Sequence, residues 1–267
     1  MIVDCFTFLN ELDILEGRLE YLYDTVDYFV IVEANITHSG TKKPLNYLEN
    51  IKRYQKYSDK ILYLPFSMDV TPYNLDNKPI GCDFNSPHWM IENAQRNHIG
   101  TVLKLFDLNT IVMVSDADEI PNKDLIKLAI DNLRADQPSL AMRQDMFYYN
   151  FKQKHAGPWP GTVITTNANA LRVTPQTLRD NRWGLPGIHN AGWHLSYWGT
   201  PEDIKYKIES FAHQEFNNSN FTDVDKIKER ISVGADLFAR NIESFISVDK
   251  STINSSILDI FSKYLKN

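Results

Sequence analysis

Asp116-Ala-Asp118-Glu119 crowds three carboxylates into four residues, directly after the apolar run Ile111-Val-Met-Val-Ser115 and just before Pro121. In extended backbone, side chains two apart project to the same side, so Asp116 and Asp118 share a face and Glu119 points away from it. Two carboxylates on one face repel each other unless a cation lies between or near them. Oxygen ligands of this kind favour Mg²⁺ or Mn²⁺ over zinc. Such an ion is suited to bridging the diphosphate of a nucleotide sugar and to stabilising the charge that develops as it leaves. Acidic pairs after strands also commonly cap the following helix. Here the fully apolar strand before the pair, the Glu after it and the proline that stops the strand mark a specialised strand end.

Other residues converge on the same edge if the sheet is doubly wound. Asn10 and Glu11 follow the first strand and Glu33 ends the second. Those are carboxyl ends of strands, where open α/β sheets bind ligands. Arg96 lies on the helix before the acidic strand, in reach of a phosphate or a uracil carbonyl; its plainer use is an i,i+4 pair with Glu92. In Gly192-Trp-His194-Leu-Ser196, a lone His in an apolar strand is usually a satisfied core residue, but beside a metal site His194 becomes an imidazole ligand. Four of the five tryptophans, Trp159, Trp183, Trp193 and Trp198, fall in one Gly/Pro-rich region. Their indole faces suit the apolar faces of sugars, and at least two are expected in ordinary core packing.

The elements that must position these groups are legible in outline. Ile2 to Phe8 reads as a short strand, and Leu12, Leu15, Leu19 and Leu22 recur at helical spacing. Tyr28 to Ala34 is apolar enough for a strand buried on both faces, and Ile61 to Phe66 is a third strand. Ser86-Pro87 supplies an N-cap and a proline at the first helical position for a helix reaching about Leu105. Thr110 to Ser115 is a fourth strand, and Asn122 caps a helix through Leu133. Strand and helix in alternation predict an α/β fold on a mostly parallel sheet flanked by helices. From Ser139 to Trp198 short β-like runs alternate with Gly, Pro and Asn. After Pro201 helices return, with Ile227, Ile231, Leu237, Phe238, Ile242 and Phe245 at an approximate helical period and Ile257 to Leu265 repeating it. These C-terminal helices are expected to pack against the sheet. No linker divides the chain, so a single domain is expected over 1–267, with a nucleotide-sugar half to about residue 121 and an acceptor half beyond it.

Composition bounds the partners. Of 267 residues, 43% are hydrophobic and 23% charged, an ordinary globular balance. A net charge of −6 with no basic tail gives no footprint for nucleic acid. Cys5 and Cys82 form no CxxC, so neither a disulfide framework nor a zinc site is expected, and a reducing compartment is the simpler assumption. The N-terminus lacks a basic segment and Asp4 interrupts its apolar run, unlike a secretory signal. No apolar run reaches the length of a membrane-spanning helix. A cytoplasmic location is the expectation.

A family resemblance rests on several of these blocks in order: Asp4-Cys-Phe-Thr-Phe-Leu-Asn10-Glu11-Leu-Asp13, Val32-Glu33-Ala34, Ser39-Gly40 with Pro44-Leu45, Trp89 with Arg96, Ser115-Asp-Ala-Asp-Glu-Ile-Pro121, and Gly192-Trp-His194 with Ser196. From about Asp4 to Phe216 the chain resembles glycosyltransferase family 17. The resemblance implies a GT-A-like fold, a nucleotide-sugar donor (UDP-GlcNAc in the animal members), a divalent metal and inversion at the anomeric carbon. It matches Asp116 and Asp118 to the metal and diphosphate motif, and Glu33 and Arg96 to donor-side positions. Animal members are anchored in the Golgi; the absence of an anchor here points to a microbial or viral enzyme acting on a surface-polysaccharide precursor in the cytoplasm.

Inversion by direct displacement needs a base within reach of the acceptor hydroxyl. Glu119 and Glu202 are the candidates, with Glu209, Glu215 and Asp145 behind them. Glu119 is equally suited to capping the next helix, and Glu202 to a helix N-terminal turn favoured by the dipole. A phosphatase-like use of the acidic motif fits poorly, because Ile120-Pro121 stand where that motif wants Thr or Val. A glycoside hydrolase needs its carboxylates on opposite sides of the bond, whereas Asp116 and Asp118 share one. The non-catalytic alternative is a carbohydrate-binding protein that has kept the fold, but binding alone needs no metal and diphosphate site.

Overall fold

The computed structural model describes residues 1–78, 81, 83, 85–240 and 245–264. Their strands are β1 (Ile2–Phe8), β2 (Tyr28–Ala34), β3 (Ile61–Phe66), β4 (Ile111–Asp116), β5 (Glu119–Pro121), β6 (Ser139–Tyr148), β7 (Gln153–His155), β8 (Trp159–Thr166), β9 (Gly187–Ile188), β10 (Gly192–Ser196) and β11 (Phe245–Ser247). The helices are α1 (Leu12–Leu22), α2 (Asn46–Glu49), α3 (Pro87–Asn97), α4 (Ile99–Leu103), α5 (Lys123–Asp131), α6 (Asn167–Val173), α7 (Pro175–Asp180), α8 (Pro201–Ser210), α9 (Val224–Val233) and α10 (Ser255–Tyr264).

One mixed sheet carries the order β11-β7-β6-β8-β4-β1-β2-β3, with β9 and β10 beside β6 and β5 beside β10. Strands β3, β2, β1 and β4 are mutually parallel, whereas β8 runs antiparallel to both β4 and β6. The chain steps outward from β1 through β2 to β3, then returns to place β4 on the other side of β1. That reversal opens a crevice at the carboxyl ends of β1 and β4, the place where doubly wound sheets bind ligands.

Helices cover both faces of the parallel strands, which explains why those strands read as near-continuous apolar runs. Along β1, Phe6 and Phe8 join one core with Leu15 and Leu19 of α1, while Val3 and Cys5 join the other with Ile99, Val102 and Leu103. Each fully buried side chain of this size contributes about 1.5–3 kcal/mol. Helix α10 lies on α1 because Gly17 leaves room for the Phe261 ring; a Cβ there would come within 2.7 Å of it.

The chain departs from expectation in three places. The helix from Pro87 is interrupted at His98, giving α3 and α4. Two helices, α6 and α7, lie inside the region expected to hold β-like runs. The helical period from Ile227 does not continue to Phe245: α9 ends at Gly234, whose left-handed backbone (φ 67°) terminates the helix. Leu237 and Phe238 pack on Ile204 and Ile208 from the segment after α9, and Phe245 lies in β11 against β7. Ile242, Leu265 and Cys82 lie outside the described residues.

Candidate active site

The acidic motif leaves β4, turns at Ala117-Asp118 and re-enters the sheet as β5. Strand β5 pairs antiparallel with β10, matching His194 to Glu119 and Gly192 to Pro121. The two strands approach closely at Gly192 (φ 149°), where a Cβ would strike the Ile120 carbonyl. The turn itself is shaped by Arg18, completely buried on α1. Its Nε and Nη2 donate to the two oxygens of buried Asp4 at 2.8 and 2.7 Å. Nη2 also donates to Ser115 Oγ, and Nη1 to the carbonyls of Asp116, Ala117 and Glu119 at 3.0, 3.2 and 2.8 Å. One guanidinium thereby meets three backbone acceptors of the tight turn, of which, among the described residues, only the Glu119 carbonyl has a second side-chain donor, Thr162 Oγ1 at 3.3 Å.

Asp116 is met by two arginines. Arg96 Nη2 donates to Oδ1 at 2.7 Å and Arg179 Nη2 to Oδ2 at 2.9 Å. Arg96 also pairs with Glu92 at 3.0 Å, the i,i+4 partner expected for it, although Arg96 is buried and the pair does not lie on the surface. Burial pushes the Asp116 carboxyl up, but Arg179 and Arg96 outweigh it and hold the group well below the usual carboxylate range. Arg182 lies close behind, its own pKa lowered by burial and by Arg179.

Asp118 has different company. Lys207 Nζ, from α8, donates to Oδ2 at 2.7 Å, and His194 Nε2 faces Oδ1 at 3.5 Å. Burial again opposes ionisation, yet Lys207 and then His194 hold Asp118 below its ordinary value. Lys207 is raised in turn, since Asp118 and Glu11 together outweigh the burial that lowers it. Glu11 reaches Lys207 at 3.2 Å and accepts from the backbone N–H groups of Leu9 and Asn10, so the loop after β1 is tied to the same centre.

The two candidate bases have opposite surroundings. Glu119 is completely buried. Its Oε2 accepts from the Asp116 backbone N–H at 2.9 Å, and its Oε1 from Trp159 Nε1 at 2.7 Å and Arg179 at 2.8 Å. With both oxygens engaged and the side chain completely buried, Glu119 holds the turn together and is not exposed to an acceptor. Glu202 stands exposed in the first turn of α8, where Thr200 and Asp203 form the capping box. Among the reserves, Asp145 pairs with Lys154, Glu209 with Lys205 and Glu215 with His213.

Glu33, expected on the donor side, is also fully buried and saturated. It accepts from Lys43 Nζ (2.8 Å), the backbone N–H groups of Asn46 and Tyr47 (2.6 and 3.0 Å) and Tyr63 (3.0 Å). Lys43 and Asn46 in turn bind the Leu9 carbonyl, so Glu33 braces the strand edge beside Asn10 from behind. Of the tryptophans, Trp193 is buried against Tyr21 and Trp198 packs on Phe151, while Trp159 meets the acidic turn at Glu119 and Trp183 packs on Trp159.

Arg18, Arg179, Arg182 and Lys207 are the site residues that sequence reasoning missed. Arg18 and Asp4 had left a trace, each being a charge on an otherwise apolar face. Thr174-Pro175 starts α7 with the same cap-and-proline pattern as Ser86-Pro87, and would have put Arg179 on a helix.

Whether a divalent ion suits this site turns on free donors. Among the described residues, no group of three or more His, Cys, Asp or Glu side chains is arranged to hold one alone. Mg²⁺ and Mn²⁺ rarely use an all-protein cage and are commonly held by one or two protein ligands with substrate phosphates. Asp118 Oδ1 and His194 Nε2 converge closely enough to form one edge of such a shell. Asp116, with both oxygens taken by arginines, fits direct ligation poorly.

The acidic strand end, ringed by arginines, a lysine and a histidine, lies at the switch point of a doubly wound sheet, where such sheets bind ligands. The sequence matches glycosyltransferase family 17 over residues 1–250, and the chain belongs to that family. It is 26% identical over 250 residues to a β-1,4-mannosyl-glycoprotein 4-β-N-acetylglucosaminyltransferase of Rattus norvegicus, covering 80% of this chain and 43% of that one. The Homo sapiens protein of the same name is also 26% identical, with 80% and 44% covered. The chain therefore spans less than half the length of these relatives. Among solved structures it is similar to a 4-diphosphocytidyl-2C-methyl-D-erythritol synthase from Anaerococcus prevotii (TM-score 0.42, 10% identity, 87% of this chain and 96% of that one). It is likewise similar to the galactosyltransferase LgtC (TM-score 0.39, 10% identity, 100% and 96%). No helix among the described residues is long and apolar enough to cross a membrane.

Proposed function

We propose that this protein is an inverting glycosyltransferase that moves N-acetylglucosamine from UDP-GlcNAc onto a glycan acceptor. The reading is carried by the assembly around Asp118, where Lys207 and His194 meet an acidic turn already neutralised by Arg96 and Arg179. Membership in family 17 gives the reaction class, and the names of the rat and human relatives give the sugar. A surface-polysaccharide precursor is the proposed acceptor.

Lys207 is the group suited to meet the donor diphosphate, because its ammonium is a mobile point charge on a flexible stem. Asp118 and His194 would hold a Mn²⁺ or Mg²⁺ ion, which supplies further positive charge against the leaving diphosphate. Arg96 and Arg179 keep Asp116 ionised and fixed, and Glu119 keeps the turn closed. Glu202 is the proposed base, being the exposed candidate on the helix that also carries Lys207. Along that helix the two lie about 7.5 Å apart in axial rise.

Incubation with a panel of UDP- and GDP-sugars, with Mn²⁺ or with EDTA, tests the reading. The expected result is metal-dependent release of UDP from UDP-GlcNAc and transfer to an added glycan. Sugar binding without release of any nucleotide would instead mark a carbohydrate-binding protein. Glu202→Gln is expected to lose turnover and keep donor binding; unchanged turnover would remove Glu202 from the mechanism.

A further inference from the structure

We infer that Trp183, with Trp159 behind it, forms a stacking platform for a pyranose ring of the acceptor glycan; this deepens the transferase reading and rests on it. Trp183 is 57% exposed, whereas Trp193 is buried and Trp159 and Trp198 are half-buried. An isolated exposed apolar side chain is ordinary, so exposure alone assigns nothing. Three features of the surroundings do.

The first is continuity with the acidic centre. Trp183 packs edge-to-face on Trp159 with ring centres 5.6 Å apart, and Trp159 lies 5.0 Å from the His194 ring. His194 faces Asp118, and Trp159 Nε1 donates to Glu119. Two ring contacts thus join a solvent-facing indole to the site where the reaction is proposed to occur.

The second is rigidity. The segment carrying Trp183 is pinned from the sheet by Arg143, whose Nη2 donates to the carbonyls of Trp183 (3.3 Å) and Leu185 (2.9 Å). Gly184 N–H closes a turn onto the Asn181 carbonyl, and β9 then pairs with β6. The indole is held in place before any ligand arrives, which lowers the ordering cost of binding.

The third is chemistry. A pyranose offers an apolar C–H face and a rim of hydroxyls. An exposed indole matches the face, and the Arg182 guanidinium, 5.3 Å above the Trp159 ring, brings a hydrogen-bond donor group beside it. A phosphate or nucleotide is better served by the lysine and arginines deeper in the site.

The indole N–H resonances of ¹⁵N-labelled protein provide the test, with the Trp183 signal assigned by Trp183→Phe. Wild type, Trp183→Ala and Trp183→Phe are titrated with methyl β-mannoside, chitobiose and a short β-1,4-mannosyl oligosaccharide, and UDP release from UDP-GlcNAc is measured separately on the wild type. The expected result is a saturable shift of the Trp183 signal with at least one sugar. Binding followed at Trp159 should weaken about tenfold in Trp183→Ala and return to within about threefold of wild type in Trp183→Phe. A Trp183 signal unmoved by every sugar, or equal affinity in Trp183→Ala and wild type, would overturn the platform. Loss of UDP release with sugar binding intact would overturn the transferase reading and leave the platform standing.

Discussion

Asp116 and Asp118 sit two residues apart at one strand end, yet their surroundings are built differently. Around Asp116, two guanidinium groups that are themselves buried fix both carboxylate oxygens from α3 and α7. Around Asp118 stand a lysine and an imidazole, both of which exchange partners readily. Planar, rigidly placed guanidinium pairs suit a structural joint. Lysine and histidine suit a centre that must let go of one partner to take another. One acidic motif thus has a half fixed by buried arginines and a half proposed to carry the chemistry.

The largest effect should come from breaking what both halves share. Arg18→Met leaves Asp4 buried without its counter-charge and the Asp116 and Ala117 carbonyls without the donor they share, so a loss of about 3–5 kcal/mol in urea unfolding is expected. The double variant Asp4→Asn/Arg18→Met should lose less than Arg18→Met alone. A loss below about 1 kcal/mol for Arg18→Met would show that the turn needs no clamp.

Next comes Asp118→Asn, expected to lower turnover by about 10²–10³-fold, the scale of a lost electrostatic contact at a reacting centre, with little change in the urea midpoint. Asp116→Asn should do the converse in stability. It leaves Arg96 and Arg179 facing each other, and because Asp116 is 37% exposed at its side chain, water screens part of the cost; about 1–3 kcal/mol is expected. If the two asparagine variants were equally stable, the division between the halves would fail.

The smallest effect is on pH dependence. Both aspartates have folded pKa values depressed below the ordinary value. Their contribution is therefore full above the unfolded pKa, about 3.9, and is lost as pH falls through the folded values. The stability gap between wild type and Asp116→Asn should hold steady from about pH 7 to pH 5 and narrow only below about pH 4. Lys207 has the opposite sign: its raised pKa gives a contribution present below the ordinary lysine value and lost only as pH climbs through the folded one. A gap that narrowed at neutral pH would assign the coupling to other groups.

The parallel half of the molecule was legible in the sequence because its physics is local. Strands β1 to β4 are apolar runs bounded by polar turns, and α1 carries its leucines on one face, so period alone finds them. His194, alone in an apolar strand, was legible as a candidate only because the strand was expected to return beside the acidic motif. Arg179 and Lys207 were not, since nothing in their immediate neighbours says which distant carboxylate they will meet. The roles of Glu33 and Glu119 were obscured for the same reason. A carboxylate at a strand end looks the same in sequence whether it opens to a ligand or is enclosed by backbone N–H groups and a tryptophan. The path of the chain after α9 depended on Gly234, whose left-handed backbone outweighed an apolar period that appeared to continue.

The contacts that make the acidic turn come from far along the chain: Arg18 lies 98 residues before the Asp116 carbonyl it binds, and Lys207 lies 89 residues after Asp118. During synthesis these partners arrive in sequence, and chains organise from the N-terminal end as they emerge. A nascent chain that has delivered β4 already holds Arg18 and Arg96. It lacks Arg179, His194 and Lys207, so Asp116 has only its Arg96 partner and Asp118 waits for Lys207 until α8 has been made. The surroundings of Asp118 are therefore completed only by residues from the last third of the chain, His194 and Lys207.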